Sequence, residues 1–194
     1  MALETESDGD KSLLIFDRPA DVRGTVFLTH AHKTGDDDQW LYLPALSRVK
    51  RVASSNRSGP FMGSEFSYED VSSEEIERYT YQNLSQTRCA DGLTCHVFER
   101  VPVDESSGYS KQVVYADVDH FRIQRVEYYD RKGELSKTLD KENYEAFGNF
   151  WRAQRWTMTN HLNGKMTIVQ WGDREFGLGL SDADFDRGSL ARHR

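Results

Sequence analysis

Alternation of apolar and polar positions with a period of two runs through most of this chain. Residues 24–32 place Val26, Leu28, His30 and His32 on one face and Thr25, Phe27 and Thr29 on the other, which predicts a strand. Residues 39–43 repeat the pattern, with Trp40 and Tyr42 opposite Leu41 and Leu43, and the turn-forming residues 33–36 predict a hairpin between the two. Pro44 cannot donate to a ladder and ends that strand. Residues 48–52 read as a short strand whose polar side chains are all cationic. Further strands are expected over 11–16, 79–85, 94–101, 111–117, 121–130, 134–139, 151–160 and 165–171, the last two joined through Asn163-Gly164, a pair that tolerates positive φ. About ten strands at short spacing predict an antiparallel all-β fold. The lack of βαβ alternation excludes a doubly wound nucleotide-binding sheet.

Helical signals are few. A capping box from Ser72 to Glu75 predicts a helical turn over 74–78. A short helical piece is expected within 140–149, and residues 182–190 suggest an amphipathic helix whose Phe185 and Leu190 would plug a sheet edge or mouth. Residues 1–10 read as a disordered tail and 11–194 as one domain.

Composition sharpens this picture in three ways. Aromatic residues make up 12% of the 194 residues, which suits strands, and charged residues make up 29%, which implies a very polar surface. The net charge of −7 argues against a nucleic-acid binder. No apolar run reaches the ~20 residues of a membrane-spanning helix. The opening MALETESDGD lacks the basic and apolar regions of a signal peptide.

Candidate chemistry is sparse. His30 and His32 share a strand face ahead of Asp36, Asp37 and Asp38, so a metal site can be drawn there, although a strand end running into a solvated acidic loop explains the same residues better. Glu65, Glu69 and Asp70 read as solvated loop carboxylates. No nucleophile elbow, zinc-protease helix, phosphate loop or paired-carboxylate pattern is present, so no enzyme, metal or cofactor is expected. Arg48, Lys50, Arg51 and Arg57 form a cationic strip, read first as a protected sheet edge and second as a contact for lipid phosphates or an acidic partner. Cys89 and Cys95 flank the hairpin signal Asp91-Gly92, which makes them near-diagonal neighbours across a ladder; a disulfide in an oxidising compartment and a pair of half-buried thiols both fit. Residues 54–64 have loop composition yet contain Phe61 and Met62, two large apolar side chains that a plain surface loop does not need.

The runs DQWLYLPAL, SSNRSGPFMGSEFSYED, YYDRKGELSKTL and MTNHLNGKMTIV resemble the outer membrane lipoprotein-sorting proteins, a group similar to the periplasmic lipoprotein carrier, over roughly residues 10–190. The resemblance implies a curved antiparallel sheet forming an unclosed half-barrel with short covering helices. It also implies a periplasmic, non-enzymatic carrier of lipid or lipoprotein acyl chains, with a sensor or scaffold module of the cell envelope as the alternative. Trp40, Tyr42, Phe61, Met62, Phe66, Tyr68, Trp156 and Met158 would then line the concave face, where composition alone would make them core. A resistance-nodulation-division exporter is the implied partner. The part of the family pattern that precedes Asp10 is missing from this sequence, so the strand over 11–16 or its neighbour is expected to offer an edge through which chains would dimerise.

Overall fold

A computed structural model of the protein describes residues 1–5, 8–72, 74–89 and 92–192, with the side chains of all but Asn83 and Leu84 among the strand residues. Its strands are β1 (Ala2–Leu3), β2 (Lys11–Ile15), β3 (Val26–His30), β4 (Asp38–Leu43), β5 (Arg48–Arg51), β6 (Tyr79–Arg88), β7 (Thr94–Pro102), β8 (Tyr109–Asp117), β9 (Ile123–Asp130), β10 (Leu135–Phe147), β11 (Phe150–Asn160) and β12 (Met166–Gln170). They form two antiparallel meanders, a five-stranded sheet ordered β1-β2-β3-β4-β5 and a seven-stranded sheet ordered β12-β11-β10-β9-β8-β7-β6. The fold is mainly β and closes into no barrel, but its strands are divided between two sheets where a single curved one was expected. The chain divides into two compact units: 1–62, 67–78 and 175–194 form the first, and 63–66 with 79–174 the second.

In the first unit both faces of the sheet are covered, so Val26, Phe27, Leu28 and Thr29 are all fully buried. Val26 and Leu28 pack with Leu13, Tyr42, Phe185 and Leu190, and Trp40 lies against the same cluster. The C-terminal segment supplies Phe185 and Leu190 from two 3-10 turns, Asp182–Phe185 and Arg187–Arg192; they cover a sheet face and do not plug an edge. On the opposite face Phe27 meets Phe61 and Tyr68, with ring centroids 5.0 and 5.7 Å apart.

Several expectations change. Ala2–Leu3 pairs with Ser12 and Lys11, so the tail contributes a strand, and β2 is flanked on both sides by β1 and β3. The expected helical piece within 140–149 is strand: β10 runs through to Phe147 because β11 pairs with it along that length. Around the predicted capping box, Ser73 lies outside the described residues; a 3-10 turn spans Ile76–Arg78, and the Glu75 carboxylate accepts a hydrogen bond from the backbone N–H of Asp10 at 3.1 Å.

Candidate functional site

Asp37 anchors the central loop of the first unit. The sequence places it in an acidic run that reads as solvated, yet its side chain is fully buried. Its carboxylate accepts from Arg57 Nη2 at 3.1 Å, from Ser72 Oγ at 2.5 Å and from Arg78 Nη1. A buried carboxylate is tolerated when cations and hydroxyl donors satisfy it together. These partners, with Gln39 Nε2 donating to the Tyr68 carbonyl at 3.2 Å, tie the loop to the start of β4. Arg57 thus leaves the cationic strip, whereas Arg48–Arg51 form the exposed edge strand β5. Nothing in the sequence pattern singles out Asp37 over Asp36 and Asp38.

The residues proposed for a metal make other contacts. His30 Nε2 donates to the Phe185 carbonyl at 2.8 Å and its ring meets Trp40 edge-on. His32 lies between Asp8 (Nδ1 to Oδ2, 2.6 Å) and Asp38 (Nε2 to Oδ2, 3.3 Å). Among the described residues, no group of three or more His, Cys, Asp and Glu side chains is arranged to hold a metal ion.

The aromatic candidates separate by face. Trp40 and Tyr42 pair with Leu28 and Val26 and share their face, under Phe185 and Leu190. Phe61 and Tyr68 sit on the other face, against Phe27. These four therefore do not converge on one space; the sheet lies between the two pairs. Alternation showed that Trp40 and Tyr42 share a face, but it carries no signal for which face a loop residue such as Phe61 will choose.

In the second unit, strand register builds one apolar band. Phe98, Val114, Val126, Leu139, Met158 and Thr167 follow one another as direct cross-strand partners over six strands. Val114, Val126 and Met158 are fully buried and Leu139 is nearly so. A second row, Arg100, Gln112, Tyr128, Lys137 and Asn160, runs beside it on the same face, with Arg100 Nε donating to Gln112 Oε1 at 2.7 Å. Trp156 shares this face two residues from Met158, with Lys141 Nζ 4.6 Å above its ring and Trp171 edge-on. The opposite face is a polar lattice: Lys111 bonds Glu99 at 2.8 Å, Arg125 bonds Asp140 at 2.7 Å, and Glu127 accepts from Tyr115 and Tyr129. Burial, reinforced by Glu127, pushes both phenols above their ordinary pKa.

The segment 63–66 is clipped to the β11–β12 end of this face. Met62 and Gly63 turn the chain into it with φ of 50° and 75°. The backbone N–H of Glu65 donates to Thr167 Oγ1 at 2.9 Å, and the Glu65 carboxylate accepts from Asn160 Nδ2 at 2.6 Å and Asn163 Nδ2 at 3.2 Å. Glu65, read from sequence as a solvated carboxylate, thus fixes the clip to the β11–β12 hairpin. Phe66 is 3% exposed.

At the β6–β7 end, Cys89 and Cys95 are joined in a disulfide with Cα atoms 5.9 Å apart. The backbone N–H of Cys89 donates to the Leu93 carbonyl at 2.9 Å; Asp91, half of the expected turn, lies outside the described residues.

Comparison with known proteins places this architecture. An outer membrane lipoprotein-sorting protein domain from Vibrio parahaemolyticus is 53% identical, covers 98% of this chain and 81% of its own, and superposes with a TM-score of 0.96. The chain belongs to the outer membrane lipoprotein-sorting protein family. A DUF1329 family protein from Desulfovibrio piger is 34% identical, with 95% of this chain and 78% of that one covered and a TM-score of 0.89. A family described as uncharacterized protein matches residues 8–192. A LolA superfamily protein from Nitrosomonas europaea, 23% identical over 92% of this chain and 77% of that one, shares the fold with a TM-score of 0.72. No curated protein matches the chain.

Proposed function

We propose that the protein is a non-enzymatic periplasmic carrier that takes lipid or lipoprotein acyl chains against the apolar band of its seven-stranded sheet. The observation that carries this reading is the band itself, which runs unbroken from Phe98 to Met158, with the 63–66 clip held by polar bonds at its β11–β12 end. Lifting the clip breaks its bonds to the hairpin, about 1 kcal/mol net for the one to Thr167 and roughly 1.5–3 kcal/mol for each one to the Glu65 carboxylate, and exposes Phe66, a cost that several buried methylenes repay. Every methylene then buried in its place contributes ~0.8 kcal/mol. Phe66, Trp156 and Met158 would line the acyl site, and Met62-Gly63 would serve as the hinge of the clip. Trp40, Tyr42, Phe61 and Tyr68 are assigned to packing of the first unit. The disulfide and the family both support an oxidising periplasmic setting. A resistance-nodulation-division exporter is the partner class proposed from the family resemblance.

The test is titration of the full chain with a long-chain fatty acid, read by tryptophan emission and by native mass spectrometry. Wild type should bind and change its emission, and Trp156→Phe should lose most of that change. The unpinned variant Glu65→Ala/Thr167→Val should take up ligand faster. No bound lipid by mass spectrometry, together with a flat emission signal, would reject the carrier reading.

A further inference from the structure

Two turns lie side by side in the second unit, and each presents an aromatic ring to solvent. The turn 118–122 between β8 and β9 exposes Phe121 at 72%. Phe121 has a φ of 54°, a left-handed conformation that bulky L residues rarely adopt. The fully buried Asp117 carboxylate holds it there, accepting from the backbone N–H of His120 (2.8 Å) and Arg122 (3.1 Å), from Arg122 Nε (2.8 Å) and from Gln124 Nε2 (3.2 Å). The ring stacks on His96 with centroids 6.1 Å apart, yet most of its surface stays in water, so this one contact does not account for the strained backbone and the exposed ring face points to use elsewhere.

The second turn is the tip of the β10–β11 hairpin. β9 pairs with β10 only as far as Asp140, and β12 pairs with β11 only from Arg155 to Thr159. The pairs from Tyr144↔Ala153 to Phe147↔Phe150 therefore extend past both neighbouring strands, and Phe150 is 51% exposed. The two turns touch: the His120 and Trp151 rings are 4.8 Å apart, and the Arg122 guanidinium lies 4.6 Å over Trp151. Two more cations stand at the tip. Arg152 lies 5.6 Å over Phe150, and Arg174 lies 5.9 Å over Phe147 and 5.2 Å over Trp171 while donating to the Ala153 carbonyl at 2.7 Å. Partial burial and the repulsion of Arg152 both lower the Arg174 pKa, so the two guanidiniums are close enough to repel each other. Glu145, the cross-strand partner of Arg152, offsets part of this charge while accepting from Gln154 Nε2 at 2.9 Å, and still leaves an excess of positive charge among these three side chains in a chain whose net charge is −7.

We propose that this aromatic tip docks on the surface of an anionic phospholipid bilayer, with Phe121 and Phe150 at the boundary of headgroups and acyl chains and Arg152 and Arg174 on lipid phosphates. Aromatic side chains favour that boundary, and basic side chains are drawn to anionic headgroups within a Debye length. Rings projecting from two turn apices, with cations around them, suit a fluid planar surface better than a protein groove, which would need them to fit one concavity. The proposal does not depend on the acyl site, which lies on a different set of residues.

The experiment is co-sedimentation of the full chain with vesicles of phosphatidylcholine alone or mixed with phosphatidylglycerol. Wild type should bind the mixed vesicles, less at high salt, and Phe121→Asp/Phe150→Asp should abolish that binding. Arg152→Gln/Arg174→Gln should weaken it about thirtyfold, the loss of two charges at the surface. Circular dichroism checks the folding of each variant; if the arginine variant unfolds, the phenylalanine variant decides alone, because both of its sites are exposed. Equal binding by wild type and Phe121→Asp/Phe150→Asp overturns the proposal, as does absence of binding to mixed vesicles, including the case in which the tip captures a protein. Fatty-acid titration of Phe121→Asp/Phe150→Asp should match wild type, which keeps this outcome separate from that of the carrier reading.

Discussion

His32 donates to Asp8 and to Asp38, so both of its ring nitrogens act as donors in the cationic form. The bond to Asp8, opposed by partial burial and helped by Asp38, raises the His32 pKa above 6.5. The same bond, with backbone N–H groups of Lys33 and Gly9, lowers Asp8 to about 2. A raised histidine pKa stabilises the fold fully below its unfolded value and loses that effect as pH rises through the folded value; a lowered carboxylate stabilises above its unfolded value and loses it as pH falls toward about 2. The latch is therefore strongest from about pH 4 to 6.5. Protection of the amides at residues 8–10, taken relative to their intrinsic exchange rates at each pH, should be greatest in that window and fall above it, and His32→Gln should flatten the profile. Phe121 offers a second test: Phe121→Asn relieves the left-handed strain and should raise stability by about 1 kcal/mol in urea unfolding. Asp117→Ala removes the carboxylate that holds the turn and leaves Arg122 without it, and should cost about 3 kcal/mol.

Longer pieces of the chain depend on such contacts. A Cβ on Gly9 would meet the Ala31 carbonyl carbon and oxygen at 2.5 Å, and the backbone there cannot yield cheaply. Gly9→Ala should displace the N-terminal segment from the sheet and cost 1–3 kcal/mol, roughly the penalty of overpacking, seen as new protease cleavage before Lys11. The loop from Ser54 to Ser72 is held through Asp37. Arg78→Ala leaves that carboxylate buried with one cation fewer, so a loss of about 3 kcal/mol and early cleavage within the loop are expected. The loop closed by the disulfide is short, with a sequence separation of 6. Reduction should therefore cost only about 2 kcal/mol, measured as a small drop in the urea midpoint.

For the molecule as a whole, assembly depends on its sheet edges. The first sheet ends on β1, two residues long, and on β5, whose four residues are all exposed and three of which are cationic. Short strands and positive charge both oppose edge-to-edge pairing. A single sedimenting species that does not grow with concentration is the expected outcome, and Arg48→Ser/Lys50→Ser/Arg51→Ser is the variant expected to associate. Concentration-dependent dimers of the wild type would instead support the earlier expectation of pairing through an edge.

Whereas β1 and the second half of β10 were not legible along the chain, most of the strands, their antiparallel order, the Asn163-Gly164 hairpin, the edge character of residues 48–51 and the family were legible in the sequence by itself. These follow from local information: a period of two, turn residues that tolerate positive φ, and motifs read along one segment. Only the tertiary structure decided that the strands form two sheets. Alternation says which residues share a face but is silent on what covers it. Hence Phe61 and Trp40 could not be assigned to opposite faces, nor Asp37 distinguished from its less buried neighbours Asp36 and Asp38. Glu65 was equally hidden, because its partners lie about a hundred residues away, at sequence separations of 95, 98 and 102. A carboxylate's environment is set by whichever distant segment folds over it, and period and composition carry no record of that choice.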